Sequence, residues 1–232
     1  MRENPAWRCF AVTNWTRWTL AVALAGAALG LTGVPLASAR PTADDGVVLF
    51  VGDSLTAGYG IDSTLAFPAL VQGFITDRGW PYRVVNAGVS GETTTGGLGR
   101  IDWLLRQEVD VLVLELGAND GLRGTDLSLT ERNLQAIIER VRNKYPAVEI
   151  VLAGMLVPPN LGSQYATAFR AMYPRLAAAN DTHLIPFLLA DVGGVAELNL
   201  ADGIHPNAEG HRRVAGNVWA VLGPILAEIG GR

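Results

Sequence analysis

Residues 47–51, VVLFV, form an uninterrupted apolar run that stops abruptly at Gly52-Asp53-Ser54. The run is too short for a buried helix and rich in β-branched residues. It therefore reads as a strand covered on both faces, the habit of parallel sheets. A serine then stands just beyond the strand's carboxyl end, where open parallel sheets place their reactive crevices. On this stretch alone Ser54 reads first as a turn or capping residue, because serine is common in both roles. A nucleophilic role requires the rest of the chain to supply a base, an orienting carboxylate and oxyanion donors.

Four more short apolar runs follow, at residues 82–86, 110–116, 148–154 and 183–187. Between and after them lie segments with helical spacing of apolar residues, at 63–77, 93–107, 128–144, 163–179 and 207–222. Ser63 or Thr64 is the expected N-cap of the first, Pro174 a local irregularity in the fourth, and Pro224 the break or kink that ends the last. Residues 190–204 read as long and irregular. Strand–helix alternation predicts an α/β fold with a five-stranded parallel sheet. No internal repeat or linker divides residues 40–232, which read as one domain.

The first 39 residues belong to a different class. Arg2, Arg8 and Arg17 precede an apolar run over residues 20–36, followed by Ala37-Ser38-Ala39. That pattern predicts a secretory signal peptide cleaved after Ala39, hence a periplasmic or secreted protein, with a retained anchor as the alternative. The sole cysteine, Cys9, lies inside it, so the mature chain would hold no disulfide and no thiolate metal site. A formal net charge of −4 with no basic cluster argues against nucleic-acid binding.

Of three histidines, His205 is the candidate base. It lies in the loop LADGIHPN ahead of the last helix, and a turn through Gly203 would fold the Asp202 carboxylate back onto its imidazole. Such a carboxylate fixes the tautomer and stabilises the imidazolium formed during attack. The bland alternative is a helix-capping Asp with a surface His. The Ser54 N–H, Gly91 and Asn119 are candidate oxyanion donors, each at the carboxyl end of a predicted strand. Each alone would pass as a loop residue; the functional reading comes from all of these loops meeting at one end of one sheet.

The segments GDSLTAGYG, NAGVSGET, LGANDGLRG and DGIHPN, in that order, resemble the four blocks of the SGNH hydrolases, also called GDSL esterases. NDGLRG, YPRL and IPF are most similar to the thioesterase–lysophospholipase and arylesterase branch. The resemblance spans residues 47–224. It implies Ser54 as nucleophile, His205 as base and Asp202 as its orienting acid, with Ser54, Gly91 and Asn119 as the oxyanion hole. It also implies a three-layer, flavodoxin-like sheet of order 2-1-3-4-5. Asp53 follows the pattern in what reads as a structural role.

The expected substrate is a small ester or thioester: short acyl or aryl esters first, longer acyl thioesters and lysophospholipids next, with carbohydrate O-deacetylation as the alternative. Leu122, Leu156, Val157 and Pro159 are candidates for an acyl groove, and equally for ordinary core. No cofactor is expected, and nothing in the sequence demands more than a monomer or weak oligomer. G-x-S-x-G is absent, which argues against the α/β-hydrolase fold. Asp202, His205, Glu209 and His211 are close in sequence, but without H-E-x-x-H and on different helix faces they make a poor metal site.

Overall fold

The computed structural model describes residues 45–158 and 161–230. The proposed signal segment, Cys9 and Pro159 lie outside them. Five strands form one parallel sheet: β1 (Gly46–Gly52), β2 (Tyr82–Gly88), β3 (Val111–Glu115), β4 (Glu149–Ala153) and β5 (His183–Ile185), in the order β2-β1-β3-β4-β5. Every residue of β3 is buried, as its continuous apolar pattern requires of a central strand covered on both faces.

Seven α-helices accompany these strands among the described residues: α1 (Ser54–Ala57), α2 (Phe67–Asp77), α3 (Thr94–Leu104), α4 (Ala118–Leu122), α5 (Leu127–Lys144), α6 (Ser163–Ala179) and α7 (Ala208–Gly230). Travel across the sheet reverses after β2. With right-handed crossovers, that reversal puts α2 on one face and α3, α5 and α6 on the other. Accordingly, α2 packs on α7, α3 on α5, and α5 on α6. The reversal leaves a switch point between β1 and β3, where the strand exits diverge and a crevice can form.

Four sequence expectations need correction. Asp62, not Ser63 or Thr64, makes the cap: its carboxylate accepts from Thr64 N (2.8 Å) and opens a 3-10 turn at Ser63–Leu65. Helix α2 starts only at Phe67, with Pro68 in its first turn, where a missing N–H costs nothing. Pro224 does not end α7, which runs on to Gly230. Pro224 and Ala220, whose carbonyl loses its partner, both face solvent, while Ile225 and Leu226 beyond it are buried and hold the last turns down. Finally, the loops after β1 and β3 each contain a short helix, α1 and α4.

Candidate active site

Ser54 is the first residue of α1, directly beyond β1. Asp53 caps that helix, its Oδ1 accepting from Leu55 N at 3.0 Å, so the chain turns sharply and leaves Ser54 only partly buried. Ser54 Oγ lies 2.9 Å from His205 Nε2. On the far side of the ring, His205 Nδ1 lies 2.8 Å from Asp202 Oδ2.

The loop carrying Asp202 and His205 is held by its own backbone. Leu200 N donates to His205 O (2.7 Å) and Gly203 N to Leu200 O (2.9 Å). The turn passes through Gly203 at φ +68°, a conformation that disfavours side chains. Asp202 Oδ1 accepts from the N–H groups of His205 (3.0 Å) and Ile204 (2.9 Å). Those two amides, and then the His205 side chain, push the Asp202 carboxyl down to about 2. It is a carboxylate at every pH at which the protein would work. Tyr59, half exposed, sets its ring 4.5 Å from the His205 ring centroid. Sequence reasoning missed Tyr59, although it stands five residues after the serine.

Asn119 lies on α4 and donates from Nδ2 to Asp53 Oδ2 at 2.9 Å, which ties the β3 exit to the β1 exit. Gly91 sits in the turn after β2 with φ +78°, and its carbonyl accepts from Arg123 Nη2 at 3.1 Å. That turn and α4 are also joined through Asp120. Its buried carboxylate accepts from Thr94 Oγ1 (2.6 Å) and Thr94 N (2.9 Å) at the start of α3.

Beneath Asp53 lies a second buried acid, Glu115, at the end of β3. Burial pushes Asp53 up to about 6. Burial, and then the neighbouring Asp53 charge, push Glu115 well above the usual carboxylate range. Sequence reasoning missed Glu115 as well. The available signal was a carboxylate inside the apolar run 110–116, where an unpartnered charge would be costly.

Of the groove candidates, Leu122 and Leu156 are exposed, at 45% and 39%. Val157 is partly buried and packs against the core. The other two histidines lie elsewhere. His183 Nε2 is 3.3 Å from Glu149 Oε2 on the neighbouring strand, a partner not visible from local sequence. His211 is buried and accepts from Phe67 N through Nδ1 at 3.1 Å. Glu209 pairs with Arg212. Among the described residues no cluster of His, Cys, Asp and Glu could hold a metal ion.

Comparison with known proteins identifies the family. Residues 50–213 match the GDSL-like Lipase/Acylhydrolase family. The chain is 43% identical over 180 residues to esterase TesA of Pseudomonas aeruginosa, covering 77% of this chain and 89% of that one. It is 39% identical over 182 residues to thioesterase 1/protease 1/lysophospholipase L1 of Escherichia coli K12, covering 77% and 84%. The crystal structure of TesA superposes with a TM-score of 0.73 at 42% identity, over 77% of this chain and 98% of that one. The chain thus belongs to the GDSL, or SGNH, family of hydrolases, whose fold it shares.

Proposed function

We propose that the protein is a carboxylic ester hydrolase that works through an acyl-enzyme on Ser54, with His205 as base and Asp202 as the acid that orients it. Ser54 Oγ attacks the ester carbonyl while its proton passes to His205 Nε2. The carbonyl oxygen, now an anion, is held by the N–H groups of Ser54 and Gly91 and by the Asn119 amide. His205 then protonates the departing alcohol or thiol, and water, activated by the same imidazole, releases the acid.

The observation that carries this reading is the unbroken line of contacts Ser54 Oγ–His205 Nε2 (2.9 Å) and His205 Nδ1–Asp202 Oδ2 (2.8 Å). A turn-forming serine and a capping aspartate would have no reason to share one imidazole across 151 residues of sequence separation. Similarity to proteins named esterase and thioesterase supports the reaction class. Exposed Leu122 and Leu156, from the exits of β3 and β4, suit an acyl chain lying in an open groove. Short acyl or aryl esters are the proposed substrates, followed by acyl thioesters and lysophospholipids. Residues 1–39 are proposed to direct export and to be cleaved after Ala39. Among the described residues no helix is long and apolar enough to cross a membrane. A monomer suffices for this chemistry.

The test is hydrolysis of a p-nitrophenyl ester series of increasing acyl length by the wild-type protein and by Ser54→Ala. A rate that requires Ser54 and peaks at one chain length is expected, and the peak sizes the groove. Activity on acetate alone would favour carbohydrate O-deacetylation, and Ser54-independent activity would refute the nucleophile.

A further inference from the structure

The reaction proposed above uses Asn119 but does not explain what aims its amide. The parallel register pairs Gly52 of β1 with Glu115 of β3, so the Glu115 side chain meets the first residues of α1. Gly52 is required there: a Cβ would collide with Thr56 Oγ1 and Glu115 Oε2. Glu115 Oε2 accepts two hydrogen bonds, from Asp53 N (3.1 Å) and Thr56 Oγ1 (2.7 Å). Its other oxygen, Oε1, is buried and receives none.

The groups that act on this carboxyl are an acid and a neutral donor: Asp53 from the β1 exit and the Thr56 hydroxyl. Tyr173 on α6 lies in the field of Glu115, of Asp120 on α4 and of Asp53. The Tyr173 hydroxyl donates to Leu116 O at 3.0 Å, and burial first, then these acids, hold it neutral. His205, which is able to carry positive charge, acts on Asp53 and not on Glu115. Among the described residues no arginine or lysine is hydrogen-bonded or ion-paired to either acid. Two like charges cannot both persist at such a site, so the pair keeps one proton. Oε2 is already saturated by two donors, which leaves Oε1 to carry it. The two carboxyl groups then meet as an acid and a carboxylate rather than as two like charges.

We propose that Glu115, protonated on Oε1, is a positioning residue for the oxyanion hole, clamping Asp53 so that Asp53 Oδ2 fixes one N–H of Asn119 and aims the other at the reacting carbonyl oxygen. This rests on the serine-esterase reading above. The chain of contacts is Glu115 to Asp53, Asp53 to Asn119, and Asn119 to the developing charge. Asp53 is held at both oxygens and at its own N–H, so it presents a fixed acceptor. A fixed acceptor gives a preorganised donor, the condition under which such donors accelerate acyl transfer. Glutamine would fit the same pattern: its oxygen would accept from Asp53 N and Thr56 Oγ1, and its uncharged amide would stand where the protonated Oε1 does.

Two measurements test this, alongside fluorophosphonate labelling of wild-type and Ser54→Ala protein, which reports separately on the serine reading. The first is ¹³C NMR of glutamate-labelled wild-type protein, in which the carboxyl signal absent from Glu115→Gln identifies Glu115. A protonated shift at neutral pH is expected, and an ionised one overturns the proposal whatever the enzyme does. The second is the kinetics of Glu115→Gln and Glu115→Leu, each alone and with Asn119→Ala. Glu115→Gln should keep kcat within about threefold of wild type. Glu115→Leu should lower kcat by about 10- to 100-fold with little change in KM. In the Asn119→Ala background the same leucine change should cost almost nothing, because its effect passes through Asn119. Equal losses for Gln and Leu, or an undiminished loss without Asn119, would reduce Glu115 to a packing residue.

Discussion

At the scale of single residues, each functional side chain is held by a local device that removes its alternatives. Asp202 is the clearest case. Two backbone amides occupy one carboxylate oxygen, which leaves the other for His205 and pushes the group down to about 2. Asn119 is the residue whose contribution should be confined to the transition state. Asn119→Ala should lower kcat roughly 10²–10³-fold with the fold intact by circular dichroism, and a near-normal kcat would remove it from the oxyanion hole.

At the scale of elements, the short helices α1 and α4 are where local patterning was least informative. Each is only four or five residues long, below the length at which a 3.6-residue period can be recognised. Helix α6 was readable from sequence because 17 residues carry several turns of apolar spacing, and an exposed Pro174 does not disturb the buried face. What fixes α4 is Asp120, bound to the first N–H and the hydroxyl of Thr94 at the start of α3. Asn133 of α5 also reaches Thr94 Oγ1 (3.1 Å), so three elements share one buried polar knot. Asp120→Ala should leave these donors unsatisfied and lower unfolding free energy by roughly 2–4 kcal/mol in urea titrations. A change below about 0.5 kcal/mol would mean that the knot is not holding α4.

At the scale of the whole molecule, pH acts on stability through buried groups with opposite signs. Burial, with a smaller push from His205, holds His211 down from 6.5 to about 4, while its Nδ1 accepts from Phe67 N and joins α7 to α2. The unfolded chain takes up that proton first, so the stability contributed by neutral His211 is present above pH 6.5 and is lost as pH falls towards 4. Asp53 works the other way. Its folded value is raised from 3.8 to about 6, so it favours the folded state in acid and that advantage disappears as pH rises through 6. The two offset one another across the same window. His211→Gln, which keeps an acceptor for Phe67 N, isolates the first. Between pH 6.5 and 4, wild type should lose up to ~3 kcal/mol relative to this variant, measured by denaturant unfolding at each pH. Parallel curves would show that His211 is not buried neutral.

The sequence by itself determined the alternation of strands and helices, because a period of 2 or 3.6 is a local property of apolar spacing. It also named Ser54, Gly91 and Asn119, each just beyond a strand end, and Asp202 and His205 in the loop ahead of the last helix, because each lies in a distinctive block. Helix starts and stops were less legible: a proline reads as a break whether its face is wet or buried, and only packing tells which. The tertiary structure alone decided what depends on register between strands far apart in sequence. Gly52 lies opposite Glu115 because β1 pairs with β3, and from that single pairing follow the buried acid pair, the hold on Asp53 and the hold on Asn119. Local patterning carries which face a residue occupies; it carries nothing about which residue of another strand it will meet.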